Sequence, residues 1–555
     1  MGAVTTGERL DRGAIWVAAT ATVTGMLLLG AHAIPNPNIT WDEAGQFWMT
    51  QGQVFGTPWG TPPGTLLEGL DLGRHGNILD PVGFTTLLWA WVSVFGAAPA
   101  ALRALPFLFF IGTIVSAYLL GRRGLGLYRT PTLVFTTAVL TTYVSMQWAT
   151  EVRPYSAELM GVVAAVAATV AYVRRPTWLN MVALSTILLF FNIFSRYSFA
   201  FAAGTSLLVV LLMMWRSKRL REHWRQIAFG MMLLGITALF LAWNIGKFDG
   251  GDQVWNNYGN PIRVESLTDF EHMRMLLQIN FVYGIHKVTA VFIVLGLAAW
   301  VTTRLSKAPE SSAGMASELR RSAGKWHTLL AFVVIYEAVC AVASQMGWAQ
   351  WNSEFRHSIG LIGIAVISAL GLLVLGTSVL HAGVARWGSG EPPRPPVLLR
   401  WATWSAWGLV LLLVAGATAY DYASFRRTDV ETLGISIPTK SAAALARTSE
   451  ARWLVDLQLF PSLRYLAEAS GVPLGNLEFG SVVPFGEYGH NEESLLARMR
   501  DLDACFPGHA TAILVAGSAA EHEALFGTFS TDMAAAGCAL EVVPLSDVES
   551  MAIIQ

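Results

Sequence analysis

Charged residues stand at five places where a strongly apolar chain does not need them. Thr40-Trp41-Asp42-Glu43 follows an apolar run that ends near Ile34. Glu151-Val152-Arg153-Pro154-Tyr155 and Arg196-Tyr197 each fill a link of a few residues between apolar runs. His286-Lys287 and Glu354-Phe355-Arg356-His357 flank later ones. An ionisable residue at a membrane boundary is costly to keep, which makes it a functional candidate by default. Guanidinium groups suit bidentate recognition of phosphate, and lysine serves as a point charge. Arg153, Arg196, Lys287 and Arg356 are therefore candidates for holding a phosphate-bearing group, with Glu151, Tyr155, His286 and His357 beside it. Asp42 and Glu43 are the catalytic candidates, because a carboxylate beside such cations can act as a base. Together these residues are expected to ring one outer cavity.

Each cluster also has a plainer explanation. Thr40 with Glu43 three residues on makes a capping box, and acids in a first turn suit the helix dipole. The box needs Glu43 but not Asp42. Glu151 and Arg153 could pair at the interface, and Arg196 could snorkel to water. Asp501-Leu502-Asp503 has the D-x-D look of a nucleotide-sugar site, but it falls in an amphipathic helical pattern and reads as a solvated face.

The elements that position these residues follow from composition. Of 555 residues, 54% are hydrophobic and 14% charged, against about 25% charged in a soluble domain, which excludes a purely soluble protein. Apolar runs of spanning length lie near 14–34, 103–120, 131–148, 155–173, 177–194, 197–215, 225–245, 287–303, 326–346, 357–380 and 401–420. The first lacks a small-residue cleavage site and reads as an anchor rather than a signal peptide. A further stretch, 81–98, is shorter and carries Trp89 and Trp91.

Positive charge sets the topology. If 81–98 does not cross, the inner links hold 20 Lys and Arg and the outer side of the membrane region nine; if it crosses, the bias reverses. The positive-inside rule selects the first arrangement, with 81–98 interfacial or re-entrant. The N-terminus is then cytoplasmic. Outer loops 35–102 and 246–286 are far longer than connectors require, and such loops are usually functional.

Residues 1–420 carry a balance of +9 and residues 421–555 a balance of -10, so two domains meet different surroundings. Ala451–Leu457, Thr511–Val515 and Ala539–Val543 are expected strands, with amphipathic helices over Glu492–Cys505 and Ala519–Ala536 between them. The fold class expected is a polytopic α-helical membrane protein of about eleven spans plus interfacial helices, with a small C-terminal extracytoplasmic α/β domain having a partly parallel sheet. Three cysteines exclude a Cys-based zinc site; Cys340 reads as packing, and an outward Cys505–Cys538 bridge is thermodynamically allowed.

Trp41-Asp42-Glu43 after the first span resembles the membrane glycosyltransferases of the GT-C superfamily, and within it the protein O-mannosyltransferase-related family that includes the lipid A aminoarabinose transferases. Leu79-Asp80-Pro81 before an aromatic short helix, Ala101-Leu102-Arg103 leading into a span, and Glu151-Val152-Arg153-Pro154-Tyr155 continue the likeness over about residues 14–215. Val82 stands where the family has a second proline. The resemblance implies a polyprenyl-phosphate-linked sugar donor used at the outer face, with Asp42 as base for the acceptor hydroxyl. It implies that Arg153, Arg196 and Arg356 hold the lipid phosphate, that Asp80 belongs to the substrate site, and, in some members, that an acidic residue binds a divalent cation. The acceptor is a glycolipid, polysaccharide or protein, the bilayer is a partner, and no nucleic acid is expected. The alternatives are a polyprenyl-lipid transporter or flippase, whose charges would lie near mid-membrane, and a non-catalytic envelope scaffold.

Overall fold

The computed structural model describes residues 39–54, 57, 62–75, 82–125, 148–245, 452–455, 464–465, 511–516, 540–546 and 549–554, together with Thr136 and short pieces within 20–34 and 328–343. The chain divides into two compact units. One comprises Met1–Ala31, Pro106–Gly246 and Gly250–Phe425; the other comprises His32–Leu105, Lys247–Asp249 and Arg426–Gln555.

The second unit begins with three helices of the long stretch 35–102: α1 (Trp41–Thr50), α2 (Leu66–His75) and α3 (Val82–Phe95). At about 1.5 Å per residue α3 is ~21 Å long, short of the hydrocarbon thickness of about 30 Å. Phe84 and Leu88 are buried while Trp89, Val94 and Phe95 are exposed, as in a helix lying on a surface. Helix α4 (Pro99–Leu119) follows, and the division between the units falls inside it.

Glycine lets α1 and α2 meet. A Cβ on Gly69 would lie 2.0 Å from the Met49 carbonyl oxygen, and Gly52, at φ +72°, would place one 2.5 Å from the backbone of Gly64. Only Gly adopts that φ readily and tolerates such an approach. Helix α2 also has its own capping box: the Thr65 amide donates to Glu68 Oε2 at 2.6 Å and the Glu68 amide to Thr65 Oγ1 at 3.3 Å. The backbone bond from Thr65 and then its hydroxyl hold the Glu68 carboxyl below its usual range. This end of α2 is therefore best capped above the ordinary carboxylate range and loses that support as pH falls through the lowered value.

In the same unit the described C-terminal residues form a four-stranded sheet of order β1-β2-β4-β3, from β1 (Arg452–Val455), β2 (Thr511–Ala516), β3 (Leu540–Ser546) and β4 (Glu549–Ile554). β1 and β2 pair in parallel, Arg452 opposite Thr511; β4 is antiparallel to both β2 and β3. Three strands match the expected ones to within one or two residues at most ends, and β4 is additional. The helices expected over 492–505 and 519–536 lie outside the described residues, as do Cys505 and Cys538.

The first unit contains the rest of α4, which continues into a π-helical turn over Leu120–Leu125, and then α5 (Tyr155–Arg174), α6 (Trp178–Phe194), α7 (Phe199–Arg216) and α8 (Leu220–Ile245). Four helical segments, Pro99–Leu125, Tyr155–Arg174, Phe199–Arg216 and Leu220–Asn244, are long and apolar enough to cross a membrane; α6 is apolar but has 17 residues. They correspond to the expected spans near 103–120, 155–173, 197–215, 225–245 and 177–194. The described residues of 20–31 and 328–343 are helical, whereas 131–148, 287–303, 357–380 and 401–420 lie outside the described residues except for Thr136 and Trp148.

Helix α5 is the most enclosed of these spans, with 72% of its apolar window buried against 22% for α8. Association in lipid rests on close packing of small residues, and α5 contributes Gly161, where a Cβ would lie 2.7 Å from Phe191 Cγ of α6 and 2.8 Å from Phe199 Cε2 of α7. Gly161→Ala is expected to cost about 1–3 kcal/mol through overpacking. Gly204→Ala in α7, where nothing lies within 4 Å of the added carbon, is expected to leave stability unchanged or raise it. Equal apparent unfolding temperatures for the two purified variants would refute this packing account.

Candidate functional site

In the second unit the site builds on the N-terminus of α1. Thr40 is extended (φ -71°, ψ 163°) and its hydroxyl accepts the Glu43 amide at 3.3 Å, while Glu43 Oε2 accepts the Thr40 amide at 2.9 Å. The capping box expected from the sequence is present. Arg103 of α4 closes on the same carboxylate as a fork: Nε donates to Oε1 at 3.2 Å and Nη2 to Oε2 at 3.1 Å. Glu43 is 2% exposed and Arg103 6%, so the pair is a buried, bidentate ion pair. Glu43, expected to be catalytic, thus has both oxygens engaged by groups that fix the helix.

In the sequence Arg103 stands out only as part of Ala101-Leu102-Arg103 at the start of a span, with nothing to mark Glu43 as its partner. Its partner is 60 residues away, beyond any local spacing rule. Asp42, next to Glu43, is partly exposed. One turn on, Gln46 is buried and its Nε2 donates to Thr85 Oγ1 of α3 at 2.7 Å, which adds a second link between α1 and the rest of the loop.

A candidate cluster of the first unit builds on the start of α5 and the α6–α7 turn. The Arg196 guanidinium carbon is 5.1 Å and that of Arg153 6.0 Å from the centroid of the Tyr155 ring, within the range of cation–π attraction. Trp148 packs edge-on against the same ring, centroids 4.7 Å apart. Tyr155 is 3% exposed, so its ring is a buried surface that both guanidiniums approach. Glu158, one turn further along α5, is buried, accepts the Ser198 hydroxyl at 2.7 Å and pairs with Arg196 Nη1 at 3.5 Å. Asn244, near the end of α8, donates to the Tyr197 hydroxyl at 2.6 Å, which fixes the turn from the far side. Glu158 and Asn244 escaped the sequence reading as site residues, although an acid in an apolar span was a signal for the first.

Of the expected residues, the structure gathers Arg153, Tyr155 and Arg196 in one cluster, with Glu151 two residues before Arg153 and its carbonyl accepting the Arg153 amide at 2.7 Å. Asp42 and Glu43 form the other. Asp80, His286, Lys287, Arg356 and His357 lie outside the described residues. The described residues do not make a divalent-cation site: no three His, Cys, Asp or Glu side chains gather among them, and Glu43 faces a guanidinium.

Glu158→Gln keeps an acceptor for Ser198 but removes the charge that orients Arg196. If Arg196 holds a phosphate, the KM for the phosphate-bearing substrate is expected to rise about tenfold, the equivalent of ~1.4 kcal/mol, with kcat nearly unchanged. A variant with lower folded yield and an unaltered KM would make Glu158 purely structural.

No protein-family model matches the chain, and no curated protein matches it by sequence. Among solved structures it is similar to ArnT from Cupriavidus metallidurans bound to undecaprenyl phosphate, at 14% identity and a TM-score of 0.53, covering 97% of this chain and 98% of that one. The apo state of the same protein aligns at 12% identity and a TM-score of 0.51, covering 97% of both chains. The chain has the fold of ArnT, with four helices among its described residues long and apolar enough to cross a membrane, and the likeness runs along nearly its whole length.

Proposed function

We propose that this protein is an inverting glycosyltransferase that moves a sugar from a polyprenyl-phosphate donor to an acceptor hydroxyl at the extracytoplasmic face of the membrane. The observation that carries the reading is the convergence of Arg153 and Arg196 on Tyr155 in a chain whose fold is that of ArnT, a protein crystallised with undecaprenyl phosphate. Fold alone does not give function; the paired guanidiniums supply the chemistry that a lipid-phosphate leaving group needs.

In the proposed reaction the acceptor oxygen attacks the anomeric carbon while the bond from that carbon to the phosphate oxygen breaks. Asp42 takes the acceptor proton, and the leaving electron pair stays on the phosphate, whose charge Arg153 and Arg196 stabilise. Lys287 and Arg356 add to that charge, Glu151, Tyr155, Asp80, His286 and His357 contact substrate, and Glu43 holds the turn that presents Asp42. The N-terminus is cytoplasmic, and the loops 35–102 and 246–286 and the C-terminal domain, residues 421–555, are extracytoplasmic. That domain binds the acceptor, a glycolipid, polysaccharide or protein.

A transporter would keep its charges near the middle of the bilayer. Glu158, an acid within an apolar span, sits in the first turn of α5 and is paired with Arg196. The test is a transfer assay in purified membranes with a panel of labelled polyprenyl-phosphate sugars. Label passing from one donor to a second product supports the enzyme and names the sugar. No turnover of any donor, with polyprenyl lipid still bound to the purified protein, would replace it with the transport reading.

A further inference from the structure

Helix α1, which carries Asp42 and Glu43, has ten residues. Helices that short are marginal on their own and depend on tertiary packing for their stability. Its N-terminus is held by the capping box and the Arg103 fork, and its C-terminus abuts Gly69. Its second half is also held from a distant part of the chain. Arg464 is 2% exposed, its guanidinium carbon lies 4.0 Å from the centroid of the Trp48 ring, and its Nη1 donates to the Thr57 carbonyl at 3.1 Å.

The next residue continues the same grip. Tyr465 is 1% exposed, its ring meets Phe47 edge-on at 5.1 Å, and its hydroxyl donates to the Ala97 carbonyl between α3 and α4. Phe47 and Trp48 are themselves packed edge to face, centroids 5.1 Å apart. Two consecutive residues therefore clamp two consecutive aromatic residues of α1 and tie them to the loop after α1 and to the link before α4. Burial pushes the Tyr465 phenol well above its usual range; Arg103 opposes that rise and Glu43 adds to it, which sets Tyr465 electrically close to the buried pair.

We propose that Arg464 and Tyr465 are positioning residues that lock the second half of α1 and so set the place of Asp42 at its N-terminus. The proposal rests on the transferase reading, because it is Asp42 as base that gives the placement a catalytic meaning. Displacing a catalytic group by about an ångström costs on the order of 100-fold in rate, whereas donor binding by arginines elsewhere is left intact. A guanidinium can stack flat on an indole and donate sideways at once; an ammonium can do the first only as a point charge.

The test uses the full chain in lipid nanodiscs, with Arg464→Ala, Arg464→Lys and Tyr465→Phe. Two readouts are taken: kcat and KM for whichever donor the wild type uses, and amide hydrogen exchange over 41–50 and over the sheet strands 511–516 and 549–554. Arg464→Ala is expected to lower kcat by about 10- to 100-fold with KM for donor within about twofold, and to raise exchange in α1 but not in the sheet. Arg464→Lys should restore part of kcat. Tyr465→Phe, which keeps the ring on Phe47 and loses only the bond to Ala97, should show a smaller change in the same direction.

Unchanged exchange in α1 with unchanged kcat would overturn the proposal, and so would a rise in exchange spread equally over α1 and the sheet. If the wild type transfers no sugar, the transferase reading fails on its own, while the exchange arm still decides whether Arg464 and Tyr465 hold α1.

Discussion

Asp42→Asn is expected to lower sugar transfer by about 100- to 10,000-fold, the usual contribution of a positioned general base. Stability should hardly move. Asp42 lies in the first turn of α1, where an acid interacts favourably with the helix dipole by about 0.3–1 kcal/mol, and the capping box and the Arg103 fork both belong to its neighbour. The rate term, about 3–5 kcal/mol on the same scale, therefore dominates the stability term. Single-turnover transfer from labelled donor, measured beside the apparent unfolding temperature, separates the two. An Asp42→Asn enzyme that turns over at the wild-type rate would sink the assignment of the base.

The opposite balance is expected one residue along. Glu43→Ala leaves Arg103 buried without its carboxylate, and breaking a buried pair from one side costs about 3–5 kcal/mol. It also removes the acceptor for the Thr40 amide, so fraying of α1 adds to the loss. Arg103→Ala should be comparably destabilising. Replacing both at once, with Glu43→Leu and Arg103→Met, should recover much of the stability, since apolar pairs of similar volume often substitute for a buried ion pair. If the double variant folds and transfers sugar, Glu43 acts by position. If it folds and is inactive with Asp42 in place, the Glu43 carboxylate takes part in the reaction and the positional account is wrong. Unfolding temperature and turnover measured on the same preparations distinguish these results.

What could be read from the sequence was what depends on near neighbours. The Thr40–Glu43 cap is a three-residue pattern, and the structure forms it. The apolar runs that became α4 to α8 are continuous, and three strands of the sheet stand out as β-branched or aliphatic clusters. Arg153 and Tyr155 are two apart, so their association is nearly forced by the turn into α5.

What escaped was pairing at a distance. Glu43 with Arg103, Glu158 with Arg196, Tyr197 with Asn244 and Trp48 with Arg464 each join residues dozens to hundreds of positions apart. No period or motif encodes such a meeting; it is decided by which helices pack together. β4 was missed for a related reason, because a run as mixed as Glu549–Ile554 gains its strand character from the two partners it lies between.

The Arg464–Thr57 bond spans 407 residues, and that separation is also a delay. At about 5–20 residues per second of synthesis, Arg103 emerges roughly 3–12 s after Glu43, but Arg464 follows Thr57 by roughly 20–80 s. Helix α1 must wait for most of that interval with its acidic turn capped and its second half unclamped. A nascent or truncated chain would thus insert its spans and display Asp42 without being able to hold it in place. Chains halted after the last span should be membrane-inserted yet inactive, and co-expression of the missing C-terminal segment is the measurement that would show whether the clamp can be supplied late.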